Sequence, residues 1–251
     1  MSLVFLIFFG QFLSAQPKYG PHAAPLSRNT NAEYFRSNKA SDFWALIPFY
    51  VGQENESSCS AATLVTVLNA SRKNVDLTSQ DELLTHKSLV EKYTDEKYMS
   101  SVSGDTALAE AKGVRILGVT VERLAEVLNG SLPKLFGNST KARAEFFSVG
   151  GKKLVLQKKK FHDDLVRNEN SSDDFVILNF TQGILTGDPE GMVGHIAAVG
   201  AYDEKHRLVL ILDPDRKWYE PYWSPEDEVW NAVKDSRSDA KSPGYVYLRT
   251  K

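Results

Sequence analysis

The chain is poor in cysteine: Cys59 is the only one in 251 residues. No disulfide can form within it, so a small disulfide-stapled scaffold is excluded and an apolar core must hold the fold together. A surplus of positive charge is missing too. Lys and Arg total 30 against 32 Asp and Glu, for a formal net charge of -2. Neither half is strongly basic, which argues against nucleic acid or an anionic membrane as a partner. The run Lys158-Lys159-Lys160 is short, precedes acidic residues and reads as a solvated helix face. No internal repeat or low-complexity segment occurs. The apolar opening, "MSLVFLIFFGQFLSA" at residues 1–15, is too short to span a bilayer and ends in the small pair Ser14-Ala15. It reads as a secretory signal, so a secreted or periplasmic protein with no stable membrane span is expected. In such an oxidising compartment a lone thiol is either buried and inert or kept for its reactivity.

What is present can build a sizeable core, with 42% hydrophobic and 25% charged residues. A polar leader at 16–40 precedes a body at 41–251. From about 41 to 170 the pattern is largely helical. Ala61, Leu64, Val65 and Leu68 recur at helical spacing. In "TVERLAEVLNG" Thr120 is an N-cap and Asn129-Gly130 a stop, and "KKKFHDDLVRNEN" is a further helix. From 174 onward the pattern changes to strands: "DFVILNF", "GHIAAVGAYD", "RLVLILD" and "GYVYLRT". "YDEKHR" between the second and third is a hairpin turn, making those two antiparallel neighbours. The expected class is α+β, a helical N-terminal half packed on a C-terminal antiparallel sheet.

The thiol falls where polar "QENESS" gives way to this helical pattern. Ser57 and Ser58 are N-cap residues, so Cys59 belongs in the first helical turn, where free backbone N–H groups and the helix dipole favour a thiolate. Gln53, six residues upstream, can offer an amide N–H to an oxyanion formed at that sulfur. Of the five histidines, His22, His86, His162 and His206 lie in polar or charged stretches. Only His195 sits in an apolar run, beside Gly194, Ala197 and Ala198, whose small size leaves room at the ring. Asp213 ends an apolar strand and can take the imidazole N–H, which leaves the second ring nitrogen for the thiol. Asp215 is the alternative partner. A packed cysteine, a satisfied core histidine and a backbone turn at Asp213-Pro214 would each account for one of these residues alone. Together they stand in the order amide donor, nucleophile, base and acid. The 136 residues between Cys59 and His195 fall within the roughly 130–150 of papain-like thiol enzymes.

The stretch "IPFYVGQENESSCSAATLVTVLNA", followed by "FVILNF", "GHIAAVGAYD" and "LVLILDPDRKWYEPYW", resembles the catalytic domain of phytochelatin synthases, papain-fold transpeptidases that occur in bacteria as single domains. The resemblance runs from about 45 to 250, with 72–170 matching only in general helical character. It implies a papain-like cysteine-protease fold with Cys59 as the acylated nucleophile, His195 as base, Asp213 as orienting acid and Gln53 as oxyanion donor. The implied reaction is on glutathione. Glycine leaves, and a γ-glutamylcysteinyl thioester passes to a second glutathione or to water. The balance is expected to lean to water, as in bacterial relatives without a Cys-rich extension. Arg216, Gly194 and Gln182 are the implied substrate contacts. Gln182 and Pro243 stand where the family's pattern suggests arginine, Ser58 and Ser60 flank the cysteine in place of Tyr and Gly, and Ala197-Ala198 replace Ser-Pro. No cofactor is required for this chemistry, and no residue is assigned as a metal ligand. Heavy-metal ions such as Cd or Zn enter as activators or as the metal–glutathione thiolate. A homodimer is admitted, not required. Two other readings stay open: a peptidase of the double-glycine leader type, and a catalytically silent binding domain.

Overall fold

The apolar runs expected as strands are strands in the computed structural model, which describes residues 18–72, 77–113, 118–235 and 243–251. The apolar opening, and with it the expected export signal, lies outside the described residues. Near the N-terminus stand β1 (Ala24–Pro25), α1 (Tyr34–Ser37) and α2 (Ser41–Leu46). They are followed by α3 (Cys59–Ser71), α4 (His86–Tyr93), α5 (Glu96–Val102), α6 (Thr106–Ala111) and α7 (Val121–Phe136). Then come β2 (Arg143–Ser148), α8 (Leu154–Glu169), β3 (Asp174–Thr181), α9 (Gln182–Thr186), β4 (Gly194–Asp203) and β5 (Leu208–Leu212). β6 (Tyr222–Pro225), α10 (Glu226–Asp235) and β7 (Gly244–Arg249) complete the order. The strands form one antiparallel sheet in the order β1-β6-β5-β4-β3-β7-β2. The class is α+β.

Three features depart from the sequence pattern. β2 lies inside the stretch expected to be helical; it is held by pairing along its length with β7, from Arg143↔Arg249 to Ser148↔Gly244. α7 runs through Asn129-Gly130 instead of stopping there. The Asn129 side chain bonds the backbone of Ala144 on β2, donating to its carbonyl at 2.9 Å and accepting from its N–H at 2.8 Å, so it serves a tertiary contact and not a cap. The helix ends at Gly137, whose φ of 84° a residue with a Cβ rarely adopts. The 16–40 stretch, expected as a leader, contributes the edge strand β1 and α1.

Helices cover both faces of the sheet. On one side α3 and α7 pack with Ile177, Ile196, Ala198, Leu210, Leu212 and Val246. On the other, α8, α9 and α10 pack with Val176, Leu178, Phe180, Ala197, Val199 and Ile211. Double cover explains why β3 and β4 read as nearly unbroken apolar runs rather than alternating ones. All thirteen residues of α3 are buried, so it is a core helix with no solvent stripe. Each fully buried Leu, Ile or Val in these layers contributes about 1.5–3 kcal/mol. Among the described residues no helix is long and apolar enough to cross a membrane.

Candidate active site

Cys59 is the first residue of α3, and Ser58 is the N-cap. The Ser58 hydroxyl does not cap the helix. It turns back to accept from the N–H groups of Glu54 and Asn55, each at 3.0 Å, and donates to the Asn55 carbonyl. The loop that delivers Cys59 is thereby tied into a tight knot, while the first-turn N–H groups stay clear of the Ser58 side chain. One turn on, the Thr63 hydroxyl donates to the Ile196 carbonyl at 3.0 Å, fastening α3 beside the start of β4.

There His195 Nε2 lies 2.7 Å from Asp213 Oδ1. The Cys59 thiol neighbours the same ring and helps to raise its pKa. With Nε2 facing the acid, Nδ1 is the nitrogen left for the thiol. His195 keeps 5% of its surface and Cys59 9%, while Asp213 has none, so the three groups are almost wholly removed from solvent.

A register shift makes this meeting possible. At the hairpin end β4 and β5 pair Asp203↔Leu208, but beyond a bulge at Gly200 they pair Ala198↔Leu212. Before the bulge, odd residues oppose even ones; after it, odd oppose odd. A one-residue slip moves every later side chain to the other face. Without Gly200, His195 would share a face with Leu212 and Asp213 would point away. A Cβ at Gly200 would come within 2.8 Å of Leu212 Cγ and Cδ2, so a side chain there would force Leu212 to shift.

Four adjacent strands meet on this face. Gln182, just past β3, donates through Nε2 to Asp213 Oδ2 at 2.9 Å, and Tyr222 of β6 donates its hydroxyl to the same oxygen at 3.0 Å. The Asp215 N–H donates to Oδ1 at 2.9 Å. Burial pushes the Asp213 carboxyl up, but the His195 charge and the bonds from His195, Gln182 and the Asp215 backbone more than compensate, and its pKa is lowered. Burial likewise opposes charge on His195. The Asp213 carboxylate outweighs it, with help from Cys59, and the imidazole pKa is raised well above its ordinary value. Asp215, whose pKa is raised by burial and by Asp213, takes the backbone role and leaves His195 to Asp213.

Gln53 is anchored beside the site. Its N–H donates to the Pro214 carbonyl at 2.7 Å, the Tyr50 hydroxyl donates to the Asp213 carbonyl, and the Arg216 guanidinium lies 4.9 Å over the Tyr50 ring. The Gln53 Oε1 is buried and has no hydrogen-bond partner among the described residues. Of the expected substrate contacts, Gly194 opens β4 opposite Thr181, Arg216 is exposed and stacked on Tyr50, and the Gln182 amide is committed to Asp213. Pro243 lies beside β2, its carbonyl accepting from Val149. Sequence reasoning missed Tyr222 and Tyr50. Neither sits in a local motif, and only the pairing Ile211↔Tyr222 reveals that Tyr222 shares a face with Asp213. Among the described residues no group of three or more His, Cys, Asp or Glu side chains could hold a metal ion.

Comparison with known proteins places the chain in a family. A protein-family model described as phytochelatin synthase matches residues 21–245. Glutathione gamma-glutamylcysteinyltransferase 3 of Lotus japonicus is 22% identical over 229 residues, covering 90% of this chain and 41% of that protein. The chain therefore spans well under half the length of that relative. With the family's own model matched from residue 21 to residue 245, the chain belongs to the phytochelatin synthase family.

Proposed function

We propose that this protein is a papain-fold thiol acyltransferase acting on glutathione, with Cys59 as nucleophile, His195 as general base and acid, Asp213 as orienting acid and Gln53 as oxyanion donor. The observation that carries the reading is a lone thiol at the start of a buried helix, in contact with an imidazole whose far nitrogen is 2.7 Å from a buried carboxylate. His195 takes the thiol proton, and the sulfur adds to the carbonyl of the Cys–Gly peptide bond. Negative charge gathers on that oxygen, where the Gln53 amide N–H stabilises it. The tetrahedral adduct collapses as His195 returns the proton to the glycine nitrogen. Free glycine leaves, and a γ-glutamylcysteinyl thioester remains on Cys59. Water then yields γ-glutamylcysteine, or the α-amino group of a second glutathione yields a lengthened peptide; either restores the thiol. Asp213 keeps its charge throughout, holding the imidazole in one orientation.

Divalent heavy metals enter this reading as thiolate complexes of the substrate. Arg216, over the Tyr50 ring beside the acid loop, is the cation assigned to meet a substrate carboxylate, and the apolar opening segment supports export. The decisive experiment incubates purified protein with glutathione, with and without Cd²⁺, and follows free glycine together with the intact protein mass. A γ-glutamylcysteinyl adduct on Cys59 and stoichiometric glycine are expected. Absence of both, with a thiol no more reactive than free cysteine, would favour the silent binding domain. Cleavage of other peptides but not glutathione would favour the leader-peptidase reading.

A further inference from the structure

We propose that Gln182 and Tyr222 are positioning residues that clamp one oxygen of Asp213, so that the other stays aimed at His195, and that Gln182 is not a substrate contact. The inference rests on the reading of Cys59 and His195 as the reacting pair. Asp213 receives four hydrogen bonds, two on each oxygen: His195 Nε2 at 2.7 Å and the Asp215 N–H at 2.9 Å on Oδ1, Gln182 Nε2 at 2.9 Å and the Tyr222 hydroxyl at 3.0 Å on Oδ2. A carboxylate with only one such partner can rotate about its last torsion and trade oxygens. One held on both sides from neighbouring strands cannot, and its charge stays spread over fixed donors. Both clamp residues are buried, Gln182 at 4% and Tyr222 at 0% exposure, so neither amide nor hydroxyl has water as a substitute.

The remaining surroundings do not supply this function. Tyr50 donates to the Asp213 backbone carbonyl and not to its carboxylate. The Tyr19, Tyr50 and Tyr219 hydroxyls near Asp213 are all shifted upward by burial, so they stay neutral through the acid range. Arg216 from the same loop lies over the Tyr50 ring, and Asp215 contributes its backbone N–H. Gln182 is therefore the one amide whose loss would leave Oδ2 with a single donor. An arginine at this position, as the family's pattern suggests, could instead reach toward a substrate carboxylate. In this chain the neutral, shorter glutamine is turned inward.

The test uses Gln182→Met, which keeps volume and removes the donor, and Tyr222→Phe as a second variant. Two readouts separate positioning from substrate binding. The far-downfield proton resonance of the His195–Asp213 bond is followed on acidification with no substrate present. It should vanish about one pH unit higher in either variant, because a carboxylate with fewer donors is protonated more easily. In kinetics on glutathione, kcat should fall about tenfold while KM stays within about twofold. An unmoved resonance with a raised KM and unchanged kcat would overturn the proposal and return Gln182 to substrate binding. If wild type shows the resonance but leaves glutathione intact, glutathione as substrate fails, while the clamp is still judged by the resonance.

Discussion

Strand β4 carries a histidine–carboxylate–tyrosine cluster near each end, and the two behave differently. At its start His195, Asp213 and Tyr222 converge, and the ring also meets the Cys59 thiol. Near its far end Tyr202 lies 3.1 Å from His162 Nδ1, and both reach the Glu226 carboxylate, which Arg207 also grips at 2.7 Å. Glu226 is as buried as Asp213. Yet in the second cluster the carboxylate is held by a cation, and the chain's one thiol is at the other site. The second cluster links α8, β4, the hairpin and α10, which is structural work. A histidine beside a buried acid thus also serves packing in this fold. A nucleophile at a helix N-terminus on the ring's second nitrogen is what distinguishes the first cluster.

The harshest break of the comparison removes the nucleophile. Cys59→Ala should abolish thioester formation and glycine release while the melting temperature stays near wild type, because alanine suits the first turn of a helix and the change removes a single sulfur atom; intact mass and calorimetry check this. Full turnover in that variant would end the catalytic reading.

Next in size is the exchange of histidines. His195→Ala should lower kcat by several orders of magnitude, whereas His162→Ala should leave kcat within about threefold and act on stability instead. Steady-state kinetics on both variants decide it. A reversed order would move the base to the far end of β4.

Asp213→Asn should cost less than His195→Ala and change the pH dependence. The carboxylate raises the His195 pKa, so its removal lowers that value, and the basic limb of kcat/KM moves to lower pH. Stability follows the same pair. The lowered Asp213 value stabilises the fold above about pH 4 and is lost as pH falls through it. The raised His195 value stabilises below about pH 6.5 and is lost as pH rises through it. The stability gap between wild type and Asp213→Asn should therefore be widest between those limits in urea titrations at several pH values.

The subtlest change is at Gly200. Gly200→Ala brings a methyl against Leu212 and should cost about 1–3 kcal/mol of stability with a fall in kcat as His195 and Asp213 are pushed apart. Adding Leu212→Ala makes room and should restore part of both. A Gly200→Ala variant with unchanged kcat would mean that the bulge tolerates a side chain.

Much of this protein was legible in its sequence. The runs that become β3, β4, β5 and β7, the hairpin between β4 and β5, the helix after Thr120 and the entry of Cys59 into a helix follow from periodicity and capping, which are local. So did the choice of His195 over the other histidines, because a titratable ring inside an apolar strand stands out against its neighbours. The rest depended on pairing between distant residues. β2, β6 and the short β1 are strands because β7, β5 and β6 offer them edges, not because their own residues demand it. The expected hairpin brings β4 and β5 together, but the Gly200 bulge alone decides that His195 and Asp213 share a face. Gln182 and Tyr222 meet Asp213 because four strands bring the same face into register at one end of the sheet. A side chain's periodicity says which face it will take within its own strand, and only the register between strands says whom it will meet there.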